Sequence, residues 1–194
     1  MPAVFLLKPG SIKRDERGAI LDARSSSTLI LSQGCKIVVD TGQRGDEEAI
    51  LQALGELQIN PEEVDILVNT HSHSDHCGNN HLFCRARTLA AAAEGEMIAH
   101  GVRVLAPPGH SPDSISVMVD AEETIVLAGD ALPTMGNYLK KVPPALHTDS
   151  NLALASMIRI MEIADIVVPG HDRPFSLRKD AYVALPFQIG SNED

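Results

Sequence analysis

Apolar and polar residues alternate in short runs through the first forty positions, a pattern typical of β-strands. Polar turn segments such as "KPGS" and "QG" separate these runs. We therefore predict a meander of hairpins at the start of the chain. Its strands carry the sequences "AVFLL", "AILDA", "STLILS" and "CKIVVD".

After Asp40 the apolar residues recur with the helical period of about 3.6 residues. The segment "DEEAILQALGEL", residues 46–57, places its apolar side chains on one face and begins with acidic residues, which stabilise a helix N-terminus. The segment "NPEEV" predicts a short helical turn, because it offers an N-cap and a first-turn proline. The next segment, "DILVNT", is typical of a buried strand.

The second half of the chain again combines strand-like and helix-like segments. "RVLAPPG", "SISVMVD", "ETIVLAGD" and "DIVVPGH" predict strands, and "DSNLALASMIRIMEIA" predicts an amphipathic helix capped by Asp149 or Ser150. The Ala-rich "TLAAAAEGE" predicts a short helix or an excursion from the sheet. Strands combined with helices in both halves indicate a layered α/β domain. The length fits one domain over residues 1–194.

The composition is that of an ordinary globular protein, with 44% hydrophobic residues. No apolar run approaches the roughly 20 residues that cross a bilayer, so we expect no membrane segment. The three cysteines, Cys35, Cys77 and Cys84, have no Cys-x-x-Cys spacing, which favours a cytoplasmic location. The formal net charge of -10 repels phosphate groups and makes nucleic acid an unfavoured partner.

Histidine is concentrated in the stretch "NTHSHSDHCGNNH", which holds four of the eight histidines of the chain. A single histidine is usually an ordinary core or surface residue, but clustered imidazole and carboxylate groups are typical ligands of zinc, iron and manganese. Because alternate strand residues share a face, His71 and His73 can converge on one cation where the chain leaves its strand. Asp75 and His76 follow in the turn and could serve a second cation.

Three further candidate ligands stand where an apolar strand runs into a loop. His110, Asp130 and His171 each follow a glycine, which lets the backbone turn tightly. We expect them to share one pocket with the histidine cluster, because sites of layered α/β proteins gather at the carboxyl ends of strands. Seven ligands exceed the needs of one tetrahedral ion and suit two cations about 3.5–4 Å apart. Asp130 is the natural bridge, and a metal-bridging hydroxide would favour hydrolysis.

The motif "THSHSDH" resembles the His-x-His-x-Asp-His motif of the metallo-β-lactamase superfamily. The segments "PGHSPDS", "AGDAL" and "VVPGHDRPF" resemble its downstream motifs, in the same order and over nearly the whole chain. The resemblance implies an α/β fold, the four-layer αββα sandwich. It also implies two divalent metal ions, with zinc favoured and iron or manganese as alternatives. The implied ligands are His71, His73 and His110 for one ion, Asp75, His76 and His171 for the other, and Asp130 between them.

The resemblance also implies roles for two aspartates. "IVVDTG" resembles a motif whose aspartate, here Asp40, orients a metal-binding histidine, and ligating imidazoles need such a partner on the other ring nitrogen. A plain turn residue before Gly42 is the alternative interpretation of Asp40. Asp75 matches the residue that both binds the metal and handles the proton of the attacking water. Asp75 and Asp130 are therefore the predicted catalytic residues.

Tyr138 and His147 are predicted substrate contacts. Tyr138 could donate a hydrogen bond to a developing oxyanion, although its spacing from Asp130 differs from that of lactonase-like relatives and packing is the competing interpretation. His147 stands where a histidine of tRNA 3′-end processing nucleases protonates the leaving group. A surface position is the alternative for His147.

The resulting prediction is a metal-dependent hydrolase of a small ester, thioester or lactone. The bridging Asp130 departs from true β-lactamases, and few residues follow His171 where glyoxalase II carries a helical substrate domain, so we expect neither penicillins nor glutathione thioesters as substrates. A phosphodiesterase or RNA endonuclease would use the same hydroxide and is the rival hydrolase. A mononuclear iron dioxygenase acting on persulfides fills the same seven positions. A structural or metal-sensing site is disfavoured, because structural zinc sites are closed and usually richer in cysteine.

Overall fold

Fourteen strands and four α-helices are found in the computed structural model, which describes residues 1–89 and 92–185. The strands are β1 (Ala3–Lys8), β2 (Ser11–Arg14), β3 (Ile20–Arg24), β4 (Ser27–Ser32), β5 (Cys35–Val39), β6 (Ile66–Val68), β7 (Arg87–Leu89), β8 (Met97–Ala99), β9 (Val102–Leu105), β10 (Ser116–Asp120), β11 (Thr124–Gly129), β12 (Ile166–Pro169), β13 (Phe175–Ser176) and β14 (Ala181–Tyr182). The helices are α1 (Glu47–Glu56), α2 (Ser74–Cys77), α3 (Met135–Lys140) and α4 (Ser150–Ile163), with 3₁₀ turns at Pro61–Glu63 and Asn80–Phe83.

The strands form two large sheets and one separate hairpin. The first sheet has the order β1-β4-β5-β6-β7, and its last three strands are parallel. The second sheet has the order β14-β13-β12-β11-β10-β9-β8, in which only β11 and β12 of the described strands pair in parallel. The hairpin β2-β3 lies outside both sheets.

A hydrophobic core joins the inner faces of the two sheets. Ile30 and Val68 of the first sheet and Val104 and Val117 of the second belong to this one buried cluster. Their strands alternate between inward and outward side chains, so a second apolar set lies on each outer face. The inner cluster is therefore the interface that makes the sheets a sandwich.

Helices cover the outer faces of the sandwich. Ile50 and Leu54 of α1 are buried in a cluster with residues of the first sheet, and Met157 and Ile160 of α4 are buried in a cluster with residues of the second. The layers therefore run helix, sheet, sheet, helix. This arrangement confirms the predicted α/β, four-layer αββα sandwich.

The helix boundaries follow the capping signals of the sequence. Helix α1 begins with Glu47 and Glu48 in its first turn, within the predicted segment. Helix α4 begins after Asp149, whose side chain accepts hydrogen bonds from the backbone N–H groups of Asn151 and Leu152, so Asp149 is the cap. None of the described helices has the length and apolarity that a bilayer crossing needs.

The predicted order of hairpins at the start of the chain is wrong in one respect. Strand β1 pairs with β4, not with its neighbour in sequence, and β2 pairs only with β3. The side chains of Lys13 and Arg14 in β2 are exposed, since charged groups cannot enter the core without a cost. The chain therefore leaves the first sheet for residues 11–24 and returns to it at β4.

The Ala-rich segment "TLAAAAEGE", for which a short helix or an excursion from the sheet was predicted, begins as a strand. Leu89 belongs to β7, which pairs in parallel with β6, and a turn follows at residues 94–95. Burial of Leu89 against the inner core explains this outcome, because packing in a sheet outweighs the helix propensity of alanine. Residues 90 and 91 lie outside the described part of the chain.

The parallel pairs bring several carboxyl ends of strands to one edge of the sandwich. In the first sheet, β5 and β6 end side by side before Asp40 and Asn69. In the second sheet, β11 and β12 end side by side before Asp130 and Gly170. The polar segments that follow these strands therefore meet above the core.

A substitution at Gly109 tests whether this edge of the sandwich lies close to helix α4. Gly109 has φ +120°, and an added Cβ would lie 2.2 Å from the backbone nitrogen of Ala153. We expect Gly109→Ala to lower the free energy of unfolding by about 3 kcal/mol, through strain and overpacking. Urea denaturation measures this change.

Gly55 in α1 is the matched control for that substitution. An added Cβ at Gly55 meets nothing within 4 Å, and the residue is helical. Gly55→Ala should raise the free energy of unfolding by about 0.5 kcal/mol. Equal effects of the two substitutions would contradict the assigned contact at Gly109.

Candidate metal centre

The seven predicted ligands come together at the shared edge of the two sheets. His71 and His73 follow β6, and Asp75 and His76 lie in the short helix α2. The other three lie in the loops after β9, β11 and β12; they are His110, Asp130 and His171. They form three overlapping groups whose ligand atoms lie within 4.8 Å of one another.

The first group consists of His71, His73 and His110. His71 Nε2 lies 2.9 Å from His73 Nδ1 and 3.3 Å from His110 Nε2, and the last two nitrogens are 3.4 Å apart. A tetrahedral zinc ion with bonds of about 2.0–2.1 Å holds its ligand nitrogens about 3.3 Å apart. The three imidazoles therefore fit one ion of this size.

The second group consists of Asp75, His76 and His171. His76 Nε2 and His171 Nε2 are 3.5 Å apart, and Asp75 Oδ2 lies 3.5 Å from His171 Nε2. His76 is fully buried and His171 nearly so, whereas Asp75 is half-buried and reaches the adjoining cavity. The group thus has a protein-covered side and an open side.

The carboxylate of Asp130 lies between the two groups. Its Oδ1 atom is 3.1 Å from His171 Nε2 and 3.4 Å from His76 Nε2, while its Oδ2 atom is 3.5 Å from His110 Nε2. Oδ1 is a buried oxygen without a hydrogen-bond partner among the described residues. Such an oxygen is costly to bury unless a cation compensates for it.

Hydrogen bonds on the far side of three imidazoles fix which nitrogen faces the centre. The Nδ1 atom of His110 lies 2.8 Å from the carbonyl oxygen of Leu146, and that of His171 lies 3.0 Å from the carbonyl oxygen of Arg24. A carbonyl oxygen only accepts, so each Nδ1 carries the proton and each Nε2 of the neutral ring presents a lone pair. His76 Nδ1 lies 2.8 Å from Asp40 Oδ2, with the same consequence.

Asp40 is held rigidly behind the centre. Its Oδ1 accepts a hydrogen bond of 2.8 Å from the Thr70 backbone, and its Oδ2 accepts one of 2.7 Å from the Thr70 hydroxyl. Asp40 has φ +56°, a left-handed conformation that aspartate tolerates better than most residues. Thr70 Oγ1 also lies 3.2 Å from His71 Nδ1, so one carboxylate and one hydroxyl orient two imidazoles.

The electrostatics of the cluster favour a bound cation. Burial lowers the pKa of His71 to about 2, which keeps this ring neutral, as a metal ligand must be. Burial opposes a charge on His76, yet Asp40 and Asp130 raise its pKa well above the usual value. Burial likewise opposes ionisation of Asp130, but His76 and His171 lower its pKa well below the usual value. The buried carboxylates thus attract positive charge into the centre.

Residues 24–26 connect the hairpin β2-β3 to both sides of the centre. The carbonyl oxygen of Arg24 accepts the hydrogen bond from His171, and the backbone N–H of Ser25 donates to the carbonyl oxygen of Asp75 at 3.2 Å. The two contacts tie one ligand from each half of the chain to the same stretch of backbone.

Buried charged side chains hold residues 24–26 in place. Lys8 Nζ donates to the carbonyl oxygen of Ser25 at 2.8 Å and lies 3.4 Å from Asp46 Oδ2. Arg24 Nη1 donates to Asp46 Oδ1 at 2.6 Å. Lys8 and Asp46 are almost fully buried, so the carboxylate between two cations satisfies charges that would otherwise be costly.

A cavity of about 390 Å³ opens beside the centre. His73, Asp75, Asp130 and His171 line its floor. One wall is the hairpin β2-β3, and the facing wall comprises Pro133 and residues 144–146. The volume lies within the range of small-molecule sites.

The two predicted substrate contacts lie elsewhere. The Tyr138 hydroxyl donates to Asp180 and its ring stacks on Phe175, so this side chain packs against the second sheet and does not line the cavity. His147 is exposed, and its Nδ1 lies 2.8 Å from the carbonyl oxygen of Pro144. His147 follows the facing wall but is not part of it.

The sequence pointed to Asp40 as an orienting group, but the other groups behind the imidazoles were missed. Thr70 could have been found, because it is a polar residue directly between a buried strand and the histidine motif. The carbonyl groups of Arg24 and Leu146 carry no sequence signal, since every residue has one. The hairpin wall was likewise hidden, because no strand was predicted for residues 11–14 and "AILDA" was placed in the meander.

Comparison with known proteins agrees with this architecture. Residues 22–96 match the model of the metallo-beta-lactamase superfamily. A putative metallo-beta-lactamase of Thermotoga maritima has a similar solved structure, with a TM-score of 0.74 at 17% identity over 90% of this chain and 99% of that one. At that identity the likeness concerns the fold alone.

Relatives in sequence cover most of the chain. A probable metallo-hydrolase of Methanocaldococcus jannaschii is 36% identical over 87% of this chain and 86% of its own length. Metallo-beta-lactamase domain-containing protein 1 of Mus musculus is 33% identical over 91% of this chain and 75% of its own. An N-acyl homoserine lactonase of a Bacillus species is 29% identical over 66% of this chain and 63% of its own. The chain therefore belongs to the metallo-beta-lactamase superfamily, as one of its metal-dependent hydrolases.

Proposed function

We propose that this protein hydrolyses a small ester, thioester or lactone with the help of two divalent metal ions. The observation that carries the proposal is the position of Asp130, whose two oxygens face two different groups of ligands. A carboxylate between two complete groups is the arrangement expected of a site that holds two ions. Zinc is the favoured ion, because imidazoles dominate both groups.

The proposed ligand sets follow the geometry of the cluster. They are His71, His73 and His110 for one ion, Asp75, His76 and His171 for the other, and Asp130 for both. Bound divalent ions lower the pKa of coordinated water and polarise a carbonyl group.

The residues of the chain supply the remaining parts of the reaction. Asp75 lines the cavity and is half-buried, so it can hold the proton that the attacking water releases and return it to the leaving group. Asp40 keeps the His76 ring oriented. In the balanced reaction one water is consumed: its oxygen forms a bond to the carbonyl carbon, the bond from that carbon to the leaving oxygen or sulfur breaks, and one proton of the water ends on the released alkoxide or thiolate.

The cavity supports a small substrate over a nucleic acid. Its walls are mostly apolar, and Arg14 is the one lining residue with a permanent positive charge among the described residues. Binding of a phosphate backbone needs several such cations, and the net charge of -10 works against it. The lactonase relative supports a carbonyl substrate in the same way.

We also propose a cytosolic location. Cys35, Cys77 and Cys84 are free thiols in the structure. Free thiols of this kind are typical of a reducing compartment.

Metal content separates the proposal from the iron dioxygenase alternative. We expect the purified protein to bind two zinc or manganese ions per chain, as measured by elemental analysis against protein concentration. A strong chelator should abolish hydrolysis, and added zinc should restore it. One iron per chain together with oxygen uptake would show that the hydrolase proposal is wrong.

A turnover panel on the same metal-loaded sample separates the hydrolase classes. The panel compares an acyl thioester, an acyl lactone and a p-nitrophenyl ester with bis-p-nitrophenyl phosphate and a short RNA. We expect turnover of the first three. Cleavage of phosphodiesters alone would replace the proposal by a phosphodiesterase.

Asp130→Ala removes the carboxylate between the two groups. We expect turnover to fall by at least about 100-fold, more than the loss of a supporting residue costs, while the protein stays folded. Steady-state kinetics and circular dichroism check both parts. Asp120→Ala, at an exposed carboxylate paired with Arg103, is the control and should retain full turnover.

Asp40→Asn should change which ring nitrogen of His76 carries the proton, while the side chain at position 40 keeps nearly the same shape. The Asn amide would replace Oδ2 as a donor facing His76 Nδ1, so the ring proton moves to Nε2 and blocks its lone pair. We expect zinc affinity to fall roughly 10–100-fold in a chelator competition. Asp65→Asn, at a carboxylate that accepts from the Lys36 backbone, should leave zinc affinity unchanged. If the zinc affinity of Asp40→Asn were unchanged, Asp40 would not be the residue that positions His76.

A further inference from the structure

The hairpin β2-β3 forms a wall of the cavity that is apolar except at one residue. Ile12, Ala19, Ile20 and Ala23 of the hairpin line the cavity together with Arg14. The facing wall is also apolar, with Pro133, Pro144, Ala145 and Leu146. A carbon chain could therefore lie between the two walls with favourable burial.

Alternation along β2 explains why Arg14 points to the cavity. Ile12 and Arg14 are two residues apart and share a face of the strand, whereas Lys13 between them faces away. Opposite residues of an antiparallel pair share a face, and Ile12 lies opposite Ala23, another lining residue.

A bulge in β3 completes this apolar surface. Lys13 lies opposite Asp22, but Arg14 lies opposite Ile20, so Leu21 is the extra residue. Without the bulge, Leu21 would oppose Arg14 and face the cavity. The bulge instead brings Ile20 to the lining and leaves Leu21 exposed.

The guanidinium of Arg14 is held in place but keeps free donors. Its Nη1 donates to the carbonyl oxygen of Gly18 at 2.9 Å, within the same hairpin. Within the described part of the chain its side chain makes no ion pair with a carboxylate. A guanidinium has five N–H donors in a planar fork that matches a carboxylate, so most of its binding capacity remains available.

We infer that Arg14 selects substrates that carry a carboxylate at the end remote from the scissile bond. This inference rests on the proposed function, because it places the reacting carbonyl at the floor, beside Asp130 and His171, and the remote carboxylate at Arg14. The apolar walls take the carbon chain between them. The substrate class is thus a monoester, thioester or lactone of an acid with a second, free carboxylate.

A matched pair of esters tests this selection. One is the mono-p-nitrophenyl ester of adipic acid, which carries a free carboxylate. The other is its methyl ester, which has the same chain without the charge. We expect zinc-loaded wild-type protein to show a roughly 10-fold higher kcat/KM for the charged ester, the size typical of one charge-assisted hydrogen-bonded contact.

Substitutions on β2 test which residue is responsible for the preference for the charged ester. Arg14→Met should abolish the preference, so that the ratio of the kcat/KM values for the charged ester and the methyl ester falls to about one. Arg14→Lys should keep part of the preference, because the charge remains but the fork is lost. Lys13→Met, on the opposite face of the same strand, is the control and should keep the full preference.

Direct binding gives a readout that does not depend on turnover. Calorimetric titration with adipate should show weaker binding to Arg14→Met than to wild type and Lys13→Met. An unchanged ester preference in Arg14→Met, or an equal loss in Lys13→Met, would overturn the inference. If wild type hydrolysed neither ester, the proposed function would fail, and the adipate titration would still decide the role of Arg14.

Discussion

Lone pairs of imidazole nitrogens and carboxylate oxygens face one another across 2.9 to 3.5 Å at the edge where the two sheets end. Burial keeps His71 neutral, and the far-side hydrogen bonds turn the Nε2 atoms of His76, His110 and His171 towards the centre. Every imidazole with a carbonyl or carboxylate behind it has its proton on the side away from the centre. The fold therefore favours a bound positive charge, and the proposed ligand sets, the proposed role of Asp130 and the proposed chemistry all rest on this feature.

The sheets make this arrangement possible because parallel strands deliver loops to the same edge. β5 and β6 bring Asp40 beside the histidine motif, and β11 and β12 bring Asp130 beside His171. The inner core holds the two sheets together, so residues far apart in sequence meet: His76 and His171, 95 residues apart, have their Nε2 atoms 3.5 Å from each other. Packing of the core therefore determines both the stability of the fold and the geometry of the site.

Sequence patterns predicted the parts of this structure that depend on local chemistry. The period of α1, the cap of α4 at Asp149 and the convergence of seven ligands could all be anticipated, because ligand types and strand ends are visible in the sequence. The pairing of β1 with β4 could not, since it depends on which strands exclude water together. The carbonyl groups that accept hydrogen bonds from His110 and His171 could not be predicted either, because every residue has a backbone carbonyl and the residue type does not mark it.

The short segment of residues 24–26 separates the candidate metal centre from the hairpin that lines the cavity. Its backbone serves His171 and Asp75, and its anchor is the buried pair of Lys8 and Asp46, so replacing it would disturb both ligand groups at once. The hairpin that precedes it lines the cavity and buries little of the main core. Substitutions within residues 11–23 therefore alter the shape and polarity of the cavity wall while the backbone support of His171 and Asp75 stays in place.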